Sequence, residues 1–151
     1  MSIALIDTSV FCNIIPVPGR DQNREEILEK LTEMIEAKTV LLLPMAAVLE
    51  TGNHIAHCGS GQKRRATAQR FCEQVAKAID GTAPWTPTPF WEMDTVKNWL
   101  DEFPDKAMHG AGMGDLSIIK EWERQCALNR ARRVFIWSLD GSDLSGYDRQ
   151  P

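Results

Sequence analysis

The chain has 151 residues, 43% of them hydrophobic and 25% charged, with a formal net charge of −4. That length holds one domain with a sizeable core and is short for two, and the composition is that of a globular rather than a disordered protein. No apolar run approaches the ~20 residues that cross a bilayer, no secretory leader is legible at the amino terminus, and the mild negative charge argues against a protein that coats nucleic acid through bulk positive charge. Cys12, Cys58, Cys72 and Cys126 are scattered, without the close pairs of a zinc site or disulfide scaffold. Reduced thiols in a cytoplasmic protein are the simplest expectation.

Ile3 to Phe11 reads I-A-L-I-D-T-S-V-F. A short, continuous apolar run with β-branched members predicts a strand buried on both faces. Asp7 stands at its carboxyl end, where ligands collect in open α/β sheets. Val10 to Ile15 predicts a short helix, stopped by Pro16-Val17-Pro18-Gly19. Asp21 is the expected cap of the next helix, whose Ile27, Leu28, Leu31, Met34 and Ile35 recur at three- and four-residue spacing. Thr39 to Leu43 is a second buried strand, closed by Pro44. Strand, helix and strand imply a parallel crossover unit.

Met45 onward reads as a helix with Glu50 on or beside its apolar face, an unusual place for a carboxylate because burying an unpaired charge is costly. Glu50, His54 and His57 share i, i+4, i+7 spacing, which admits a zinc site as a minor reading; His54 alone could border a phosphate-binding cleft. The next helix carries Phe71, Val75 and Ile79 as its core stripe. Lys63, Arg64, Arg65 and Arg70 make it locally basic, either a solvated face or a track for an RNA backbone. Residues 81–89 read as a proline-punctuated loop and 90–103 as a helix burying Trp91, Val96, Trp99 and Leu100. Trp85 and Trp91 could stack on bases, although core or dimer packing is the plainer use. Three glycines in His109–Gly114 lead to Asp115 at a helix start, too irregular for a nucleotide fingerprint. Val134 to Leu139 is the third clear strand. It ends at Asp140, with Asp143 three residues on, and a polar tail follows.

Taken singly, Asp7 and Asp115 read as caps. Together, Asp7, Glu50, Asp115 and Asp140 make a series of acids, each following a strand or set at a helix. I-D-T-S, L-P-M-A-A-V-L-E, G-M-G-D-L-S-I and S-L-D-G-S-D-L, in that order along nearly the whole chain, resemble the PIN-domain ribonucleases, many of which are the VapC toxins of VapBC toxin–antitoxin pairs. The resemblance implies a three-layer α/β/α sandwich with a central parallel sheet flanked by helices, formed by residues 1–145 with 146–151 as a short tail. It makes Asp7, Glu50, Asp115 and Asp140 the metal-binding, catalytic acids and Ser9 and Ser138 polar neighbours, Ser138 standing where the family often has threonine. It also implies an RNA substrate, a small antitoxin protein as partner and, frequently, a homodimer.

Gathered carboxylates repel unless some protonate or a cation joins them. Mg²⁺ or Mn²⁺ prefers oxygen ligands, and two such ions can activate water and stabilise a leaving oxygen. The expected activity is divalent-metal-dependent hydrolysis of RNA phosphodiester bonds. The alternatives are a catalytically silent RNA- or protein-binding module and a zinc-dependent hydrolase using Glu50, His54 and His57.

Overall fold

Four consecutive apolar residues, Ile3 to Ile6, are each no more than 3% exposed, so the strand they form must be covered above, below and on both edges. The computed structural model describes residues 1–141 and 144–151; the expectation for Asp143 therefore lies outside the described residues. The elements run β1 (Ile3–Ile6), α1 (Thr8–Ile14), α2 (Arg24–Glu36), β2 (Val40–Leu43), α3 (Met45–Ala56), α4 (Gly61–Ile79), β3 (Trp85–Pro87), α5 (Met93–Trp99), α6 (Phe103–Met108), α7 (Met113–Leu128), β4 (Val134–Trp137) and β5 (Asp148–Arg149). The strands form one sheet in the order β3-β2-β1-β4-β5. β1 lies in the middle, parallel to β2 (Ile3↔Val40) and to β4 (Ile3↔Val134), and β2 is parallel to β3 (Leu41↔Trp85).

Alternation along the strands divides the core in two. Ala4, Ile6, Leu41, Leu43, Phe135 and Trp137 face a layer built from α1, α2, α3 and α4, in which Phe11, Ile27, Leu31 and Val48 are buried. Ile3, Leu5, Val134 and Ile136 face the other side, against Ile118 and Ile119 of α7 and Ala46 of α3. Helices therefore flank both faces of a mostly parallel sheet.

Several expectations need correction. The sheet is mixed, because the polar tail supplies β5, antiparallel to β4 with Val134↔Arg149; the ordered unit extends past residue 145. Residues 81–89 are not all loop, since Trp85–Pro87 pairs with β2. Pro87 is tolerated there because β3 is an edge strand with no further neighbour needing its N–H. The helix expected over 90–103 is the shorter α5, Met93–Trp99, and a further helix, α6, begins at Phe103 with Pro104 in its first turn, where its missing N–H costs no helical bond. Helix α2 starts from Asn23 rather than Asp21. Its start is fixed by α1: the Asn23 N–H donates to Asn13 Oδ1 at 3.0 Å, and the Arg24 guanidinium donates to the Asn13 and Ile14 carbonyls at 2.6 and 2.7 Å. Ile35, Ile79 and Leu100, expected in the core, stay exposed.

Arg149 locks β5 onto the end of α7. Its guanidinium donates to the carbonyls of Cys126 (3.0 Å), Asn129 (2.6 Å) and Arg132 (2.6 Å), at the helix end and the turn that follows it, where carbonyls run out of intrahelical partners. Hydrogen bonds from a charged donor are each worth about 1.5–3 kcal/mol. Arg149→Ala should lower the unfolding free energy by about 2–3 kcal/mol in denaturant titration, and Arg149→Lys should recover only part of it, since one ammonium lacks the planar fork.

Candidate functional site

The sheet delivers Asp7 just beyond β1, where its N–H still pairs with the Trp137 carbonyl at 3.0 Å as the strand gives way to α1. The side chain is 4% exposed. A carboxylate so deeply placed needs donors, and it has two: Asp7 Oδ2 accepts the Ser9 hydroxyl at 2.9 Å and the Ser138 hydroxyl at 2.8 Å. Each hydroxyl also accepts from the turn after β4. Ser9 Oγ takes the Leu139 N–H and Ser138 Oγ the Asp140 N–H, both at 2.9 Å. Position 140 is therefore set by the same two hydroxyls that hold Asp7.

Glu50 comes from the second turn of α3. Its Oε2 accepts the Thr8 hydroxyl at 2.8 Å. Its other oxygen, Oε1, occupies the space that a Cβ on Gly114 would need, so a side chain at 114 would push the Glu50 carboxylate from its present position. Asp115 follows, in the first turn of α7, where Oδ2 accepts the Gly112 N–H at 3.3 Å. Within the glycine-rich run before Asp115, Gly114 leaves room for the Glu50 carboxylate.

Asp7, Glu50, Asp115 and Asp140 all line one open cleft of about 320 Å³, together with Ser9, Asn13, Arg20 and His54. The convergence registers in the Asp115 carboxyl, which is pushed above the usual aspartate range. Burial is the main cause, the Gly112 N–H opposes it, and the negative charges of Glu50, Asp7 and Asp140 add to it. The His54 imidazole is driven the other way, toward its neutral form, by burial and then by the Arg20 and His57 charges. Burial raises the Cys12 thiol, so the sulfur on the cleft wall stays protonated and makes a poor nucleophile.

The acids share the cleft without being packed into a finished ligand shell. Among the described residues, no group of three or more His, Cys, Asp or Glu side chains is close enough together to hold an ion. Asp7 and Glu50 are turned onto hydroxyl donors instead. The donor chemistry nonetheless fits a hard divalent cation: four carboxylates contribute only oxygen, as Mg²⁺ and Mn²⁺ prefer, and the like charges of Glu50, Asp7 and Asp140, which add to the effect of burial on Asp115, are ones a cation would offset. Zinc fits less well. His54 lines the cleft, but His57 is exposed, outside that lining, with its Nδ1 2.8 Å from the Asn53 carbonyl.

None of Lys63, Arg64, Arg65 and Arg70 lines the cleft. Arg64 bonds the Gly59 carbonyl and Arg70 the Thr67 hydroxyl along α4. The cation that does line it is Arg20, which follows the Pro16–Gly19 turn and carries no sequence signature. Thr8, the donor to Glu50, was legible only as a hydroxyl beside Asp7. No protein-family model matches the chain, and no curated protein matches it.

The Asp115 carboxyl gives a test in chelator, free of divalent ions. An acid whose folded-state pKa is raised supports the fold while protonated, and that support is lost as the pH climbs through the raised value. Asp115→Asn removes the penalty while keeping an oxygen for the Gly112 N–H. Its stability relative to wild type should therefore increase from acid to neutral pH, as read by thermal unfolding across that range.

Proposed function

We propose that the chain is a divalent-cation-dependent endoribonuclease of the PIN-domain kind, similar to the VapC toxins that its motifs resemble. The observation that carries this reading is the meeting of Asp7, Glu50, Asp115 and Asp140 in one cleft, beyond the carboxyl ends of β1 and β4, where Ser138 reaches across 131 residues of sequence to bond Asp7.

Asp7, Asp115 and Asp140 would hold Mg²⁺ or Mn²⁺, and Glu50 would take a second ion or orient the attacking water. Bound there, the cation supplies Lewis-acid polarisation of the phosphodiester and a water acidic enough to attack at neutral pH. The chain's own residues do the positioning. Ser9 and Ser138 fix the Asp7 carboxylate, and Thr8 fixes Glu50. Arg20 brings the positive charge that lets a phosphate approach a wall of acids. His54, held toward neutrality, offers a hydrogen-bonding edge without adding charge. No side chain need become covalently attached, so water attack leaves 5′-phosphate and 3′-hydroxyl ends.

An antitoxin partner, a homodimer and a cytoplasmic setting belong to the same reading and are supported by the motif resemblance. No helix among the described residues is long and apolar enough to cross a membrane.

The test is cleavage of single-stranded and structured RNA by purified protein. With Mg²⁺ or Mn²⁺ the RNA should be cut, and chelator should stop it. Asp7→Asn should retain its fold and lose at least about 100-fold in rate, the scale of removing one electrostatic element from such a site. A 2′,3′-cyclic phosphate product would contradict water attack. Arg20→Ala should raise KM several-fold while changing kcat little, since the guanidinium meets the bound phosphate rather than the reacting water.

A second reading, a module that binds RNA without cutting it, draws support from the hydroxyl-held Asp7 and Glu50 and from the lack of a finished ligand shell among the described residues. Retention of RNA with no cleavage in any divalent ion would establish it.

A further inference from the structure

The segment between α1 and α2, residues 15–23, brings Arg20 to the acidic cleft. Arg20 is exposed, and its guanidinium makes no hydrogen bond or ion pair with another described residue. A long cation without a side-chain partner is aimed by its backbone alone. That backbone is held at several points. Val17 is buried, its N–H donates to the Cys12 carbonyl at 2.9 Å, and its own carbonyl accepts the Arg20 N–H at 2.9 Å. Two side chains close the far end. Asn13, 2% exposed, donates from Nδ2 to the Ser9 carbonyl at 2.9 Å and accepts the Asn23 N–H on Oδ1 at 3.0 Å. With a carbonyl on one side and an N–H on the other, the amide can face only one way. Arg24 spans the same gap from α2, its Nη1 donating to the Asn13 and Ile14 carbonyls at 2.6 and 2.7 Å.

We infer that Asn13 and Arg24 are positioning residues for Arg20: by closing residues 15–23 onto the end of α1 they hold its guanidinium at the cleft, ready for a phosphate. The inference rests on the nuclease reading above and adds to that site two residues that need not touch the substrate. Arg20 is the one lysine or arginine lining the cleft among the described residues, so the segment closed by these bonds is the one that delivers the cation. Arg24 is outside the lining, and whatever it does for a bound phosphate it does through the segment it closes. Asn13 is in the lining and could act by contact, which makes Arg24 the cleaner probe. With the closure lost, the guanidinium spreads over more positions, and ordering it again on binding weakens the hold on substrate. The cost falls on KM, because the acids that carry the chemistry stay where they are.

The test is a double-mutant cycle on the full chain, cutting an unstructured oligoribonucleotide in Mg²⁺. Arg24→Gln and Asn13→Ala should each raise KM roughly 2- to 12-fold, the range for loss of one ordinary hydrogen bond, with kcat nearly kept. Neither should raise KM further in an Arg20→Ala background, since residues that act through one group are not additive. A second readout needs neither RNA nor metal: in chelator, the Asn23 amide proton should exchange faster in Asn13→Ala by a similar factor. A KM rise that persists undiminished without Arg20 would overturn the inference, because the two residues would then be supporting the fold in general. A loss confined to kcat would overturn it too, as would an unchanged KM in both single variants of a chain whose wild type cuts RNA; each leaves the nuclease reading standing. If Asn13→Ala does not fold, Arg24→Gln with and without Arg20→Ala decides by the same comparison. Wild-type protein that neither binds nor cuts any RNA would overturn the nuclease reading and this one together.

Discussion

A negative charge stands at the end of the most enclosed strand in the molecule, and much of the local structure follows from keeping it there. Asp7 is almost fully withdrawn from water, and an ionised carboxylate in that position is tolerated only if hydrogen bonds replace its hydration. Ser9 and Ser138 do so, and both hydroxyls are themselves oriented by N–H groups of the turn beyond β4. A cost at one residue is thus converted into a tie between the start of α1 and the exit from β4. The two central strands are joined by backbone pairing along their length and by this small polar knot at their carboxyl ends.

The opposite wall of the cleft is built by close approach. Glu50 can face the cleft because Thr8 meets one of its oxygens and Gly114 leaves room for the other. The first turn of α7 is thereby brought against α3, and Asp115 arrives beside three other acids. Burial and like charge together hold its carboxyl high. An arrangement that works against ionisation contributes little to stability at neutral pH.

How much of this was readable in advance depended on the signal each segment carries. β1, β2 and β4 announce themselves as short apolar runs, and α2, α3 and α7 as periodic ones, because their burial is dictated by their own residues. β3 and β5 are two or three residues long and exist because a neighbouring strand offers free hydrogen-bonding groups; Trp85-Thr86-Pro87 and Asp148-Arg149 contain little that says strand. The helix read over 90–103 stopped short of Pro104, yet Pro104 sits in the first turn of α6, and α5 ends earlier, at Trp99. The four acids could be picked out singly, yet nothing in their spacing dictated that they share a cleft. Arg20 was invisible because its place is fixed by how α1 turns into α2, and that turn is set by Asn13 bonding across to Asn23. The basic residues of α4 stood out more and lie elsewhere.

The register of the middle strand bears on how a growing polypeptide acquires this shape. Ile3 is paired on one side with Val40 and on the other with Val134, so the first strand made waits for almost the last before its second edge is covered. Such long sequence separations slow folding. They also mean that a half-synthesised copy already carries Asp7 and Glu50 but has neither Ser138 to hold the first nor Asp140 to join them. A chain that stops short of β4 therefore cannot assemble the four-acid cleft.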